Sequence, residues 1–254
     1  MANIDFKGKN ILITGGSRGI GKATTLAFAS KGANVGINYR SNEQAALDTL
    51  NELPGKNHGL FQYDIGEKDS PEHLIRDFTG KFGRIDVLVN NAGVSSFHNI
   101  DNEFDEWNEA WEHILNVNLI TAANLCYWAS REMKRQNGGK IINVSSRGAF
   151  RGEPEQPAYA ASKAGLNAMS QSLAKALAKH RIYVYVVAPG FTETDMGVKA
   201  LSEKEKKQLM DESPFQRMAN PGEVANAILM LASDGLEYAS GAILDINGAS
   251  YLRS

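Results

Sequence analysis

Short apolar runs alternate with longer amphipathic stretches from one end of this chain to the other, and that rhythm limits what it can become. The runs at 10–14, 34–38, 59–63, 85–90, 140–144, 183–188 and 242–246 are rich in β-branched residues, and several end in polar or glycine punctuation. Between them lie helix-like segments at 19–31, 42–53, 70–82, 104–135, 158–179 and 221–233. A repeated strand–helix order predicts an α/β fold: a doubly wound parallel sheet of about seven strands with helices on both faces, the Rossmann arrangement. Ser70 before Pro71 and Asn220 before Pro221 read as capping residues ahead of a proline in the first helical turn. The segment 104–135 is long for one helix, which predicts a bend or a late start. No linker or repeat divides the 254 residues, so 1–254 reads as one domain. Only 191–215 breaks the rhythm, with the charged run Glu203 to Lys207, and it reads either as a solvated surface helix or as a flap over a ligand.

The first strand runs into Thr14-Gly15-Gly16-Ser17-Arg18-Gly19-Ile20-Gly21. Glycines matter here because the turn is tight and the backbone must approach a pyrophosphate with no Cβ in the way. The helix that follows offers free N–H groups and the positive end of its dipole. Strand, glycine turn and helix in that order predict a dinucleotide site. An NAD site places an acidic residue near the end of the second strand to hold the ribose hydroxyls. Asn38-Tyr39-Arg40-Ser41 supplies none, and Arg40 with Arg18 offers two cations for a 2′-phosphate instead. NADP is expected over NAD.

Further along, Tyr159 and Lys163 are four residues apart in a helical stretch and therefore share a face. A phenol titrates near 10, and bringing it to about 7 takes roughly 4 kcal/mol. An ammonium at ~4 Å in an effective dielectric of ~20 supplies about that much. The pair is thus able to act as a general acid in reduction and a general base in oxidation.

Taken together these motifs resemble the short-chain dehydrogenase/reductase family along nearly the whole chain. The resemblance identifies Gly15, Ser17, Arg18, Gly19, Ile20 and Gly21 with the cofactor turn, joined by Arg40 and Ser41. It implies adenine contacts at Asp64 and Ile65, and a cofactor-side motif at Asn91-Ala92-Gly93 after Asn90. Pro189 and Gly190, with Thr192 and Thr194, look like the segment that holds the nicotinamide carboxamide. Asn118, Ser146, Tyr159 and Lys163 occupy the family's four catalytic positions, and Tyr159 and Lys163 also touch cofactor there. The family's serine stands thirteen residues before its tyrosine, which selects Ser146 over Ser145; the latter is expected to bond to backbone. The implied chemistry is hydride transfer to a ketone carbon while Tyr159 protonates the oxygen, Ser146 holds that oxygen, Lys163 lowers the phenol pKa, and Asn118 supports a proton-relay water.

Within the family the likeness is strongest to 3-oxoacyl-(acyl-carrier-protein) reductases, on the stretch Ala188 to Met196 and the cation pattern for NADP. That implies an acyl carrier protein as partner and a carrier-bound or small-molecule ketone as substrate. Lys134, Arg135, Lys179, His180 and Arg181 are candidates to dock it, or else simple charge compensation at helix C-termini. Arg147, Arg151, Glu153 and Glu155 make a charged pocket wall, which keeps oxidation of a sugar, polyol or other small secondary alcohol open as an alternative. His98 reads as a residue of the pocket rim. A homotetramer is the family's usual state, with Phe104, Trp107, Trp111, Tyr127 and Trp128 as apolar interface candidates. A net charge of −2 gives no reason to expect nucleic acid or an anionic membrane as partner. No apolar run suits a signal peptide or a spanning helix, and the single cysteine, Cys126, has no partner for a disulfide. The five histidines lack zinc spacing, so no metal is expected. The expected compartment is the cytoplasm.

Overall fold

Alternate residues of each strand point to opposite sides of a sheet, and here the two sides are visibly different cores. In β1 (Asn10–Ile13), Ile11 and Ile13 join one apolar cluster and Leu12 the other. The computed structural model describes residues 4–194 and 202–253. The other strands are β2 (Asn34–Tyr39), β3 (Gly59–Gln62), β4 (Val87–Asn90), β5 (Gly139–Val144), β6 (Ile182–Pro189) and β7 (Ile243–Ile246). All pair in parallel in the order β3-β2-β1-β4-β5-β6-β7.

Helices cover both faces. On the first lie α1 (Gly19–Ser30) and, later in the chain, Pro221–Ala232; Phe28, Val224, Ile228 and Leu231 pack there on the odd-numbered side of β1 and β2. Between β2 and β3 runs α2 (Glu43–Asn51). The second face takes α3 (Ser70–Phe82), α4 (Phe104–Leu115), α5 (Thr121–Arg135) and, after a short α6 (Gly148–Arg151), the long α7 (Pro157–Leu177). Phe78, Leu125, Met133 and Leu177 fill the space under Leu12, Leu88 and Val184. Exposed α8 (Glu203–Asp211) precedes the helix at 221–232, which is α9.

The seven strands and the helices α1, α2, α3, α7 and α9 lie within two residues of their expected bounds. Three features add to or differ from that reading. The stretch 104–135 is interrupted by a π turn at Asn116–Ile120, so one extra residue bulges from the helix there. Asn220 does cap α9, through a capping box with Glu223, but Ser70 is itself the first helical residue of α3, behind Asp69. Proline tolerates either position of the first turn, so its presence alone does not say which neighbour is the cap. The segment at 191–215 contains a surface helix, α8, as one of its two readings anticipated; the flap reading turns on 195–201, which lie outside the described residues.

Chain order reverses between β1 and β4, and this switch opens a crevice beyond their carboxyl ends. Thr14 closes its floor. The hydroxyl of this buried residue accepts hydrogen bonds from the N–H groups of Asn91 and Ala92, each at 3.0 Å. Replacing it by valine, which keeps the shape but not the acceptor, leaves the Ala92 N–H unmet and the Asn91 N–H with only the Val89 carbonyl, 3.1 Å away. We expect Thr14→Val to lower unfolding free energy by about 1–3 kcal/mol, read as a fall in urea midpoint at unchanged m-value.

Candidate active site

The glycine turn is shaped by what it cannot carry. A Cβ on Gly21 would lie 2.0 Å from the Gly15 carbonyl oxygen, so no side chain fits at that position. Gly19 adopts φ +52°, in the left-handed region, and a Cβ there would meet Thr194 at 3.0 Å. The first turn of α1 has neither a side-chain cap nor an acidic residue. It is open to an anion of the pyrophosphate type. Asn91 holds the turn from behind, donating to the carbonyls of Thr14 and Gly15 at 2.9 and 3.2 Å. A cavity of about 450 Å³ adjoins the turn, bordered by Ser17, Arg18, Gly19, Lys22 and Thr194. Thr194 reaches it because the chain after β6 passes Gly190, Thr192 (bridged to Ala219) and Thr194 across the glycine turn.

At the end of β2 the side chain of Asn38 turns inward and donates to the carbonyls of Phe61 and Tyr63, while Tyr39 is buried. Arg40, Ser41 and Arg18 are exposed around the crevice. Asp64 is exposed at the end of β3, and its carboxylate accepts from Gly66 N–H at 3.0 Å. Beside it, Ile65 has its side chain in the second core cluster and its carbonyl accepting from Thr121, so a contact to an adenine ring would fall to its backbone N–H.

Four residues from three elements meet across the crevice. The hydroxyl of Ser146, just beyond β5, accepts from the Gly148 N–H at 3.0 Å and lies near enough to the phenol of Tyr159, in the first turn of α7, to favour its ionised form. Ser145 points away and donates to the Lys163 carbonyl at 3.3 Å. One turn on, the Lys163 ammonium is buried and donates to the Val144 carbonyl at 2.9 Å. A Cβ on Gly93 would lie 3.2 Å from Asn118 Oδ1 and 3.4 Å from Lys163 Nζ, so the missing side chain makes room for both. Asn118 sits in the π turn. Its amide accepts from Val94 N–H at 2.8 Å and donates to Val94 C=O at 2.9 Å and Ser162 Oγ at 3.1 Å.

Burial governs the electrostatics here. It pushes the Lys163 ammonium down to about 8 and the Tyr159 phenol up, the latter opposed by the Ser146 hydrogen bond and reinforced by the charge of Glu153. Lys163 Nζ stands 5.8 Å from the centre of the Tyr159 ring. In the free protein, at that distance, Lys163 is not among the influences on the phenol, which burial and Glu153 keep in its neutral form.

The two arginines of the charged wall are paired with carboxylates. Buried Arg147 pairs with Glu212 and lies 4.5 Å from the centre of the Phe191 ring. Arg151 reaches the same Glu212 at 3.0 Å and Glu153 at 3.4 Å. The pairing with Glu212, sixty residues downstream, gives no sequence signal. The basic group Lys134, Arg135, Lys179, His180 and Arg181 is not beside the pocket of its own chain. It flanks the amino ends of β5 and β6, whereas Ser146 and Pro189 lie at their carboxyl ends, about 20 Å away at strand rise. His98, expected on the rim, is only 1% exposed. Among the described residues, no group of three His, Cys, Asp or Glu could hold a metal ion.

A family model described as short chain dehydrogenase matches residues 9–205. Among curated proteins, the 3-oxoacyl-(acyl-carrier-protein) reductase FabG of Thermotoga maritima is 40% identical over 245 residues, covering 96% of this chain and 98% of its own. The protein of the same name from Chlamydia trachomatis is 38% identical over 243 residues, 94% and 96% of the two chains. That of Staphylococcus aureus is 36% identical over 247 residues, 96% and 98%.

A protonated lysine held at a pKa of about 8 against an ordinary 10.5 is a cost to folding. The unfolded chain binds more protons between these values, so stability rises as pH climbs through that window and the cost is complete below pH 8. Lys163→Met removes it. We expect the variant to equal or exceed the wild type in urea midpoint at pH 7, by up to about 3 kcal/mol, with the gap closing toward pH 10.5.

Proposed function

The chain belongs to the short-chain dehydrogenase family, and from that premise we propose that it reduces a ketone presented as a 3-oxoacyl thioester on an acyl carrier protein, using NADPH. It is an oxidoreductase acting on C=O and CH–OH groups. The observation that carries the proposal is the convergence of the Ser146 hydroxyl, the half-buried Tyr159 phenol and the buried Lys163 ammonium, whose Nζ is 5.8 Å from the centre of the Tyr159 ring.

In this reading the substrate carbonyl oxygen takes the place between Ser146 and Tyr159. Ser146 donates to it and stabilises the alkoxide as charge develops. Tyr159 passes its proton to that oxygen. Lys163 holds the Val144 carbonyl and sets the potential under the phenol, while Asn118 fixes the loop after β4 against α7. NADPH, when bound, supplies the hydride. Its pyrophosphate would lie at the uncapped start of α1, with Gly15, Ser17, Gly19, Ile20 and Gly21 around it, and Thr192 and Thr194 would join the segment that holds the nicotinamide carboxamide. Arg40, Ser41 and Arg18 would take the 2′-phosphate, and the absence of an acidic residue at 38–41 supports NADP over NAD. Asp64 would face the adenine, and Ala92, Gly93, Pro189 and Gly190 the nicotinamide side. Residues 1–254 serve as one domain.

We assign a homotetramer and a cytoplasmic location to the same reading. Phe104 and Tyr127 are exposed on α4 and α5, and the indole N–H groups of Trp107 and Trp111 have no partner among the described residues. No described helix is long and apolar enough to cross a membrane. The alternative alcohol substrates rested on the charged wall, whose two arginines are held in ion pairs with Glu153 and Glu212.

Purified protein is expected to oxidise NADPH with a 3-oxoacyl thioester such as acetoacetyl-coenzyme A. Absence of turnover with any ketone, together with oxidation of polyols, would move it to the alcohol reading. Tyr159→Phe should lower kcat by about 10²–10⁴-fold. A loss under about tenfold would remove the phenol from the proton step. Arg40→Asp should raise the KM for NADPH by roughly 10-fold or more and move preference toward NADH, as expected for loss of a charge-assisted bond to phosphate. An unchanged KM would withdraw the phosphate assignment.

A further inference from the structure

The helix that carries Tyr159 and Lys163 has no cap from its own chain segment. Gln156 at its start makes no side-chain capping bond, and Pro157 follows. The Ala158 N–H, one residue before the phenol, would be a buried donor without a partner. It finds one sixty residues upstream. His98 Nε2 lies 3.0 Å from Ala158 N. A backbone N–H can only donate, so Nε2 is the lone-pair nitrogen and Nδ1 carries the proton, directed at the Ser96 carbonyl 2.7 Å away. The backbone N–H of His98 also donates to the Glu155 carbonyl at 2.9 Å. Its ring meets Trp111 of α4 edge-on, with centres 6.5 Å apart.

These contacts complete a pattern. The loop after β4 is tied at its root to Thr14, in its middle to Asn118 through Val94, and at its far end to α7 through His98. We propose that His98 is a positioning residue for the proposed proton transfer: its neutral imidazole caps α7 from the loop that borders the cofactor crevice, and so sets the placement of the Tyr159 hydroxyl relative to Ser146. The cap joins two segments that bracket the reacting atoms. It does not contact them. Its consequence for rate rests on the proposed function; the cap itself does not.

The test compares wild type, His98→Ala and His98→Gln, the amide oxygen of the last being able to accept from Ala158 in place of Nε2. With the 3-oxoacyl thioester and NADPH, His98→Ala should lose roughly 10- to 100-fold in kcat. Its KM for the ketone and its affinity for NADPH should stay within about twofold, and His98→Gln should recover most of the rate. A His98→Ala enzyme with undiminished kcat, or a His98→Gln enzyme no better than the alanine variant, overturns the proposal. Two further readings need no turnover and separate its failure from failure of the assigned reaction. Nitrogen-15 spectra of the wild type should show His98 protonated at Nδ1 alone. Hydrogen exchange at the Ala158 amide should quicken in His98→Ala and be restored in His98→Gln. An Nε2-protonated ring, or an Ala158 amide indifferent to both substitutions, overturns the cap even if the alanine variant proves hard to fold.

Discussion

The hydrogen bonds between the end of β1 and the chain leaving β4 hold the crevice to its shape. Strand order reverses between these two strands, so the chain leaving each one diverges and nothing in the ladder itself joins them beyond Val89. Thr14 bridges the gap with a single oxygen that accepts two N–H groups, and Asn91 returns the bond to the carbonyls of Thr14 and Gly15. The glycine turn is thereby fixed relative to the loop at Ala92-Gly93, and Gly93 in turn admits Asn118 and Lys163. Cofactor turn and reacting groups are linked through one short stretch of backbone. A loosened floor would move both together.

Many of the polar groups inside this region are joined in hydrogen-bonded chains, which is how a parallel sheet tolerates them, while Asn90 Oδ1 and the Asn167 amide have no partner among the described residues. Asn90 donates to Asn143, Asn143 donates to Ser170, and Ser170 donates to Leu166 of α7. Asn118 donates to Ser162, whose hydroxyl donates to the Tyr159 carbonyl. Each chain ends on α7. A buried polar group without a partner costs about 1–3 kcal/mol, so these networks select one seating of α7 on the sheet over neighbouring ones. Apolar packing alone is less particular about a shift of a fraction of a turn. The cap at His98 adds a third restraint, at the helix end nearest the phenol.

Much of this architecture was legible in the residues because it follows from period and punctuation. Parity along β1 and β2 assigns faces, glycines mark where backbone meets backbone, and Asn220 before Pro221 announces a helix. What escaped depends on partners far along the chain. The π turn at Asn116–Ile120 has the composition of ordinary helix, and only its tertiary role shows why Asn118 is displaced there. His98 looked like a rim residue because a polar residue in a glycine-led loop usually faces water; its burial requires the unmet N–H at Ala158. The basic residues 179–181 are near Tyr159 in sequence, but α7 carries them the full depth of the sheet away.

The electrostatic balance bears on direction. An ammonium beside a phenol suggests an ionised tyrosine, but that holds only while both are wet enough to keep their charges. Here burial lowers the lysine to about 8 and raises the tyrosine, and Glu153 adds negative potential near the phenol. Lys163 also commits a proton to the Val144 carbonyl, which orients its charge along the backbone as well as toward the ring. The resting phenol therefore keeps its proton throughout the neutral range. Such a group is prepared to give a proton to an oxygen that is becoming an alkoxide, a far stronger base than phenolate. To remove a proton from an alcohol it would first have to be ionised against both burial and Glu153. The same four residues can serve either direction in principle, but the free protein is set for donation, in keeping with a reductase.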